Sequence, residues 1–562
     1  MGRIMSVMQS ASKVVKRVKF DPLVLATIIL VFIFLILFVM YPLIKVVVQS
    51  VINNQGKVSI EGIREILRNK YYFVCLFNSF RLAVTVAVIS TIVGYILAFA
   101  MTKVDIPLKG VFKNLVIIPM ISPPFILALS MIFLFGRQGV ITRQLLGIRD
   151  FSIFGLKGLV AAETIEGIPI AFLSISAMLE NMDPAVEDAA VSLGAERLHV
   201  FRTVTLPLSL SGLASAFLLV MIESLTDFGN PIVLGGNYNV LSVSIYSEMT
   251  NFYNLTSASI LSLMLLIPTI LLFIIQRYYI SRRSYITVTG KPSYQGKLIM
   301  DKQTVKIFFT FCALFAVIIV TLFGIVIFGS FTNTWGVNLS LTLKHYKYAF
   351  ALGFDSLKNS LEISLISAIV GGLLGVIIAF LIIRESFFGK KIMESLTLLT
   401  YTIPGIVVGV GYVLAFNKPP ISINGTGLIL FIALLFRNIP VAVESGISTL
   451  LQIDPSIEDA STTLGASAFT TFRKITLPLL SSPLLSGMIY EFVRAMTATS
   501  SVILLVSARW MLMPVVMYSN IEAGDFATAS AQVTVMLVII LVVIYVGRSL
   551  AKRGGKINYV ID

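Results

Sequence analysis

The chain alternates long apolar runs with short polar connectors, and many runs reach the roughly 20 residues that a helix needs to cross a bilayer. Twelve such helices are predicted. Six lie near residues 22–48, 78–102, 114–136, 157–180, 209–234 and 257–278, and six near 304–331, 359–384, 394–416, 426–450, 481–506 and 528–549. The strands of a transmembrane barrel would instead alternate polar and apolar positions over segments of about ten residues. The pattern therefore predicts an all-α polytopic membrane protein. The first run, from about Pro22 to Val48, is too long for a signal-peptide core and lacks a small-residue cleavage site, so it is read as a retained span.

One polar segment occurs twice. Ile168 to Leu208 and Ile439 to Leu479 align without a gap at an offset of 271. Each copy passes from an apolar run through Asp-Pro, Glu-Asp-Ala, Leu-Gly-Ala and Phe-Arg to Thr-Leu-Pro-Leu. Earlier matches, Asn78-Ser79 with Asn359-Ser360, Gly94 with Gly375 and Pro123 with Pro404, run at an offset of 281. The chain thus reads as two six-helix halves in the same orientation, related by an axis along the membrane normal. The first carries about ten extra residues on the outer side between its third and fourth spans. The predicted divisions are an N-terminal segment 1–21, a first half 22–280, a basic linker 281–303, a second half 304–550 and a tail 551–562.

Charge sets the orientation. The sequence has 562 residues, 57% hydrophobic and only 13% charged, with a formal net charge of +15. In a membrane protein this excess reflects Lys and Arg in cytoplasmic loops and does not imply nucleic acid. Basic residues cluster in the N-terminus (Arg3, Lys13, Lys16, Arg17, Lys19), after span two (Lys103, Lys109, Lys113), in the linker and in the tail. Between Gly235 and Thr256 there is neither Lys nor Arg. Both termini, the linker and both repeated segments are therefore expected in the cytoplasm. Cys75 and Cys312 sit in or beside apolar spans and suggest no disulfide framework, and two histidines are too few for a histidine metal cluster.

Each repeated segment, 183–207 and 454–478, reads as two short helices with a glycine elbow. Asp183 and Asp454 are N-caps before prolines, the following Glu-Asp pairs favour the helix dipole, and Gly194 and Gly465 suit a C-terminal stop. The spacing Asp188-Ala189-Ala190, Gly194, Val204, Leu206-Pro207 recurs as Asp459-Ala460-Ser461, Gly465, Ile475, Leu477-Pro478. It resembles the Glu-Ala-Ala, Gly, Ile, Leu-Pro signature of the permease subunits of binding-protein-dependent ABC importers. Asp replaces the leading Glu in both copies, with Glu187 and Glu458 one residue earlier, and Ser461 replaces the final Ala.

The resemblance covers nearly all of both halves and implies a type I importer fold. The repeated segments would then be coupling helices that dock on two copies of a cytoplasmic ATPase. The implied docking residues are Glu187, Asp188, Ala189, Ala190, Gly194, Arg202, Leu206 and Pro207, with Glu458, Asp459, Ala460, Gly465, Arg473, Leu477 and Pro478. Arg202 and Arg473 would pair with the partner or with lipid phosphates. The chain has no Gly-x4-Gly-Lys-Ser/Thr phosphate loop, so ATP and Mg belong to the partner and this subunit is not an enzyme. The family also implies an extracytoplasmic binding protein and a cell inner-membrane location.

A charge at mid-bilayer costs roughly 2.5–3.5 kcal/mol, which makes intramembrane charges functional candidates. Span four carries Glu163 and Glu166, span five Glu223 and Asp227, span ten Arg437, and span eleven Glu491 and Arg494. At the repeat offset Glu223 corresponds to Arg494 and Glu166 to Arg437, so two acidic positions in one half are basic in the other. Glu223 and Arg494 are expected to meet near the pseudo-two-fold axis, or else Arg494 pairs with Glu491 on its own helix. By the resemblance, spans three and five of each half line the path, which adds Ser122, Thr402, Thr226, Thr497, Thr499 and Ser500.

Two fused halves resemble the ferric-iron branch of the family, most closely at Thr426-Gly427-Leu428, Arg437 to Pro440, Leu451 to Pro455 and Gly524 to Ala529. Thiamine, phosphonate and hexose-phosphate importers are similar. The carboxylates suit a hard cation, and Arg437 and Arg494 suit a phosphate or a carboxylate-chelated metal. An ion-coupled secondary transporter would also use repeats and buried carboxylates, but the doubled Gly…Leu-Pro segment argues against it. A passive channel would need neither partner nor nucleotide.

Overall fold

The computed structural model describes residues 22–52, 56–280, 298–351 and 353–553. The expected N-terminal segment 1–21, linker residues 281–297 and tail residues 554–562 lie outside the described residues. Among the described residues, ten helices are long and apolar enough to cross a membrane, and a bent pair makes an eleventh if counted as one span. The first half has α1 (Pro22–Ser50), α2 (Glu61–Arg68), α3 (Lys70–Lys103), α4 (Lys109–Ile121), α5 (Ile126–Phe135), α6 (Leu156–Glu180), α7 (Pro184–Ser192), α8 (Arg197–Thr226), α9 (Gly229–Leu234), α10 (Leu241–Thr250) and α11 (Leu255–Tyr278). The second has α12 (Lys302–Ser330), a hairpin β1 (Thr332–Thr334) and β2 (Asn338–Leu341), α13 (Lys344–Ala351), α14 (Phe354–Arg384), α15 (Lys390–Thr402), α16 (Gly405–Phe416), α17 (Gly427–Leu450), α18 (Ser456–Thr463), α19 (Ala468–Thr471), α20 (Ser481–Thr497), α21 (Met513–Glu522) and α22 (Phe526–Arg553).

Four of the twelve expected spans are not continuous helices. The third, 114–136, breaks between Ile121 and Ile126, where Pro123 and Pro124 remove two backbone donors and Phe125 takes a left-handed φ of 69°. The ninth, 394–416, bends by 113° between α15 and α16 at Ile403-Pro404. The fifth ends at Thr226 and restarts as α9, and the eleventh is helical only to Thr497. Asp227 and Ala498, the residues that end them, are extended and occupy matching repeat positions.

The Asn-Ser repeat has a local cause. Ser79 Oγ accepts the backbone N–H of Leu241 at 2.9 Å, and Ser360 Oγ accepts that of Met513 at 2.8 Å. Asn78 and Asn359 donate to the Asn239 and Arg509 carbonyls. Each serine thus satisfies the first backbone N–H of the helix that follows a broken span, α10 or α21, and each asparagine holds the loop leading into it.

Glycines let spans two and four meet. A Cβ on Gly94 would lie 2.7 Å from Ala171 Cβ, and one on Gly375 would lie 2.5 Å from Ala442 Cβ. Small residues at such crossings substitute close packing for the hydrophobic drive that lipid does not supply.

The first helix of each half lies against the other half. α1 packs on α16 and α17 through Phe38, whose ring stands 5.4 Å from Phe436 and whose carbonyl accepts from Tyr412 Oη at 2.8 Å. In return, α12 sets Phe308 against Phe99 and Phe309 against Phe112. The β1–β2 hairpin then stacks Trp335 on Phe133 with ring centroids 4.1 Å apart. The exchange joins the halves independently of the linker.

Gly94→Leu and Gly375→Leu should each overpack a span-two crossing and cost about 1–3 kcal/mol. A lower thermal midpoint for the detergent-solubilised protein, followed by size exclusion, is the expected reading, and an unchanged midpoint would contradict the close approach.

Candidate functional site

The broken spans of both halves converge on one cavity of about 140 Å³. Its wall includes the α4–α5 break from Ser122 to Phe125, the start of α9, and the non-helical segment from Ala498 to Ser501. Non-helical backbone at membrane depth is tolerated only where protein or water covers it, so these ends need an interior to face. Gly405, after the Pro404 break, makes the packing possible, since a Cβ there would lie 2.0 Å from Ser500 Oγ and 2.6 Å from Arg437 Nη1.

The cavity is charged unequally. Glu163, Glu166, Glu223 and Asp227 line it from the first half, and Arg437 and Arg494 from the second. Arg494 Nη2 lies 3.4 Å from Glu223 Oε1, an ion pair across the halves. The competing local partner, Glu491, is only 1% exposed and packs against Gly371, and its carboxyl oxygens have no hydrogen-bond partner among the described residues. Glu491 is absent from the cavity wall. A second cross-half bridge lies outside the cavity, where Arg277 reaches Glu444 at 2.7 Å and Glu394 at 3.7 Å.

Asp227 also shapes the wall. Its oxygens accept the backbone N–H groups of Gly229 and Asn230 at 2.9 and 3.3 Å and so cap α9. The Asn230 amide donates to Asp227 and Glu166 at 2.9 and 2.8 Å, which holds the two carboxylates together. Glu163 accepts from Ser224 Oγ through one oxygen, and the other has no protein partner among the described residues. The same is true of Thr499 Oγ1 and Ser501 Oγ, which also line the cavity. All three unpartnered atoms belong to residues of the cavity wall. Thr226, Thr497 and Ser500 line the wall, whereas Thr402 is buried elsewhere and bonds back to the Leu399 carbonyl. Among the described residues no three His, Cys, Asp or Glu groups are arranged to hold a metal ion.

The repeated segments form matching prominences. Asp183 caps α7 by accepting from Ala185 N at 2.9 Å, and Asp454 accepts from Ser456 N at 2.9 Å. These bonds hold the Asp454 carboxyl below the usual carboxylate range. Gly194 and Gly465 turn the chain with φ of 85° and 84°. At each crest the preceding leucine, Leu193 or Leu464, is 89% exposed. Both were visible in the repeated Leu-Gly-Ala, but their hydrophobicity reads as packing in a chain this apolar. Asp459, Ala189, Ala460, Arg202, Arg473, Pro207 and Pro478 are exposed, and Asp188, Ala190, Leu206 and Leu477 are half-buried.

Two expectations about these segments change. Glu187 and Glu458 do not face outward. Glu187 pairs with Lys103 and Glu458 with Arg384, both at 2.8 Å. Nor is there a separate second short helix in the first half. The chain from Arg197 continues through a π-helical turn, Phe201–Thr205, into the fifth span. The second half repeats the turn at Phe472–Thr476 and steps at Leu480 before α20. Pro207 and Pro478 cannot donate to the preceding turn, and a widened turn absorbs the missing bond.

The family model described as the binding-protein-dependent transport system inner membrane component matches the chain twice, over residues 90–285 and 371–553. The ferric transport system permease protein FbpB of Actinobacillus pleuropneumoniae is 33% identical over 544 residues, 94% of this chain and 78% of that protein. The putative ferric transport system permease protein FbpB 1 of Haemophilus influenzae is 36% identical over 501 residues, 87% of this chain and 79% of that protein. The putative 2-aminoethylphosphonate transport system permease protein PhnV of Salmonella typhimurium is 29% identical over 240 residues, 42% of this chain and 89% of that protein.

The cross-half ion pair predicts non-additivity. Glu223→Gln and Arg494→Gln should each lower stability, and the double variant should lose less than their sum, with an interaction of about 0.5–3 kcal/mol. Additive losses in a thermal double-mutant cycle would show that the two side chains do not interact.

Proposed function

The chain belongs to the binding-protein-dependent transport system inner membrane component family, and we propose that it is the membrane subunit of an ATP-driven importer of ferric iron, free or chelated. The convergence of both halves' broken helices on one polar cavity carries the transport reading. Two relatives named as ferric transport permeases, matched over most of the chain, support iron as the substrate.

An extracytoplasmic binding protein delivers the substrate to the outer face, and the chain's own residues do the rest. Glu163, Glu166 and Asp227 make the wall acidic toward a passing hard cation without forming a closed ligand set, while Arg437 presents a guanidinium to any oxyanion that travels with it. The Glu223–Arg494 contact ties the halves where the path must open. Hydrolysis of Mg-ATP takes place on two copies of a partner ATPase in the cytoplasm. Each copy receives one crest, with Leu193 or Leu464 as its apolar knob, the small residues Ala189, Ala190, Gly194, Ala460 and Gly465 allowing close approach, and Arg202 or Arg473 beside them. When the ATPase dimer closes, the crests move and the halves rock between outward- and inward-facing states.

A phosphonate substrate is the second reading, favoured by Arg437 on the cavity wall and by the relative named for 2-aminoethylphosphonate. Reconstitution with its partner ATPase and binding protein separates the two. ATP-dependent uptake of radioactive ferric iron, unaffected by excess 2-aminoethylphosphonate, is expected. Uptake without ATP would contradict the importer, and phosphonate uptake in place of iron would overturn the substrate.

Leu193→Asp with Leu464→Asp should weaken ATPase binding by at least about tenfold in co-purification while leaving the permease folded. Retention of both ATPase copies would remove the crests from the docking surface.

A further inference from the structure

Each crest is fastened to the spanning helices by a carboxylate turned inward onto a cation. In the first half, Glu187 takes the Lys103 ammonium at 2.8 Å and the Thr205 hydroxyl at 2.7 Å. In the second, Glu458 takes the Arg384 guanidinium at 2.8 Å and the Thr476 hydroxyl at 2.8 Å. The side chains of the first pair are 16% and 20% exposed, and both of the second are 11% exposed. Such partly desolvated pairs hold geometry better than solvent-exposed ones.

Three observations give the pairs a mechanical meaning. Lys103 and Arg384 are the last residues of α3 and α14, and Glu187 and Glu458 sit in the first turns of α7 and α18. Each joint therefore sets the negative end of a spanning helix, with its cation, against the positive end of a crest helix, with its anion. Thr205 and Thr476 belong to the π-helical turns that lead into span five, so one carboxylate ties the crest to spans two and five together. Arg384 also donates to the Ile453 carbonyl at 2.9 Å, which adds the end of span four. Finally, the joint is built twice at matching repeat positions with Lys in one copy and Arg in the other. Charge and reach are common to both copies, while the cation itself differs.

We propose that these two ion pairs are the joints that transmit crest movement to the cavity wall. Lys103, Glu187, Arg384 and Glu458 are positioning residues for transport, not docking residues. Without the carboxylate, a crest keeps its chain connections to spans four and five but loses its direct tie to span two, which in the first half reaches the cavity at Val86 and in the second packs through Gly372 and Gly375 on the two helices that carry Arg494 and Arg437. The inference rests on the docking of the crests on an ATPase proposed above.

The test uses the full transporter, reconstituted with its ATPase and binding protein. In Glu187→Gln with Glu458→Gln, both ATPase copies should still co-purify and basal ATP hydrolysis should persist. Iron taken up per ATP hydrolysed should fall by at least about tenfold, while Lys103→Arg and Arg384→Lys should stay within about threefold of the parent. The charge swap Lys103→Glu with Glu187→Lys should restore uptake relative to Lys103→Glu alone. Unchanged uptake per ATP in the double glutamine variant overturns the proposal, as does loss of the ATPase copies, which would make the carboxylates docking groups. If the glutamine variant does not fold, a swap variant that folds but restores nothing overturns it. If the parent protein recruits no ATPase, the importer reading itself fails.

Discussion

Backbone polar groups inside hydrocarbon must be satisfied within the protein, and this constraint organises the whole molecule. Spans three, five, nine and eleven all break part-way across. Each break frees N–H and C=O groups that lipid cannot accept. The chain answers with side chains placed for the purpose: Asp227 for the start of α9, and Ser79 and Ser360 for the helices that follow the breaks in spans five and eleven. The breaks at spans three, five and eleven come together on one cavity, and that of span nine packs beside it through Gly405. The cavity is polar because the breaks are there, and the breaks are tolerable because the cavity is there.

Duplication then acts differently at the two ends of the molecule. Toward the crests the halves agree in detail, down to the caps, the left-handed glycines, the leucine exposure and the carboxylate joints. At the cavity they diverge, with four carboxylates facing two guanidiniums. If the crests dock on two identical copies of a partner, as proposed, that surface is held to two-fold symmetry. A path for one substrate is under no such constraint, and a charge difference across it also gives the halves an attraction, Glu223 to Arg494, that two identical halves would lack.

Much of this was legible in the sequence because it is local or repeated. Hydropathy located the spans, the Asp-Pro and Leu-Gly-Ala repeats located the crests, and Glu223 aligning with Arg494 pointed to a pair that the structure brings within 3.4 Å. The breaks were less visible. Pro123 and Pro404 mark two of them, but Thr226 and Thr497 end their helices with no adjacent proline. Those ends are set by tertiary contacts. Glu187 and Glu458 looked like docking groups because their partners, Lys103 and Arg384, lie more than 70 residues away in sequence. The exchange of α1 and α12 between halves was hidden for the same reason, since lipid-facing and protein-facing apolar residues read alike.

The cavity between the halves is proposed as the transport path, with nucleotide on the partner switching the side from which it opens. Side-specific thiol labelling measures this directly. With Cys75 and Cys312 replaced by Ser, Ser500→Cys places one reactive group on the cavity wall. In proteoliposomes of the complete transporter, an impermeant thiol reagent should reach it from the cytoplasmic side without nucleotide. With ATP trapped on the partner, the same reagent should reach it from the outer side instead. Labelling from one side alone in both states, or from neither in either state, would contradict the account.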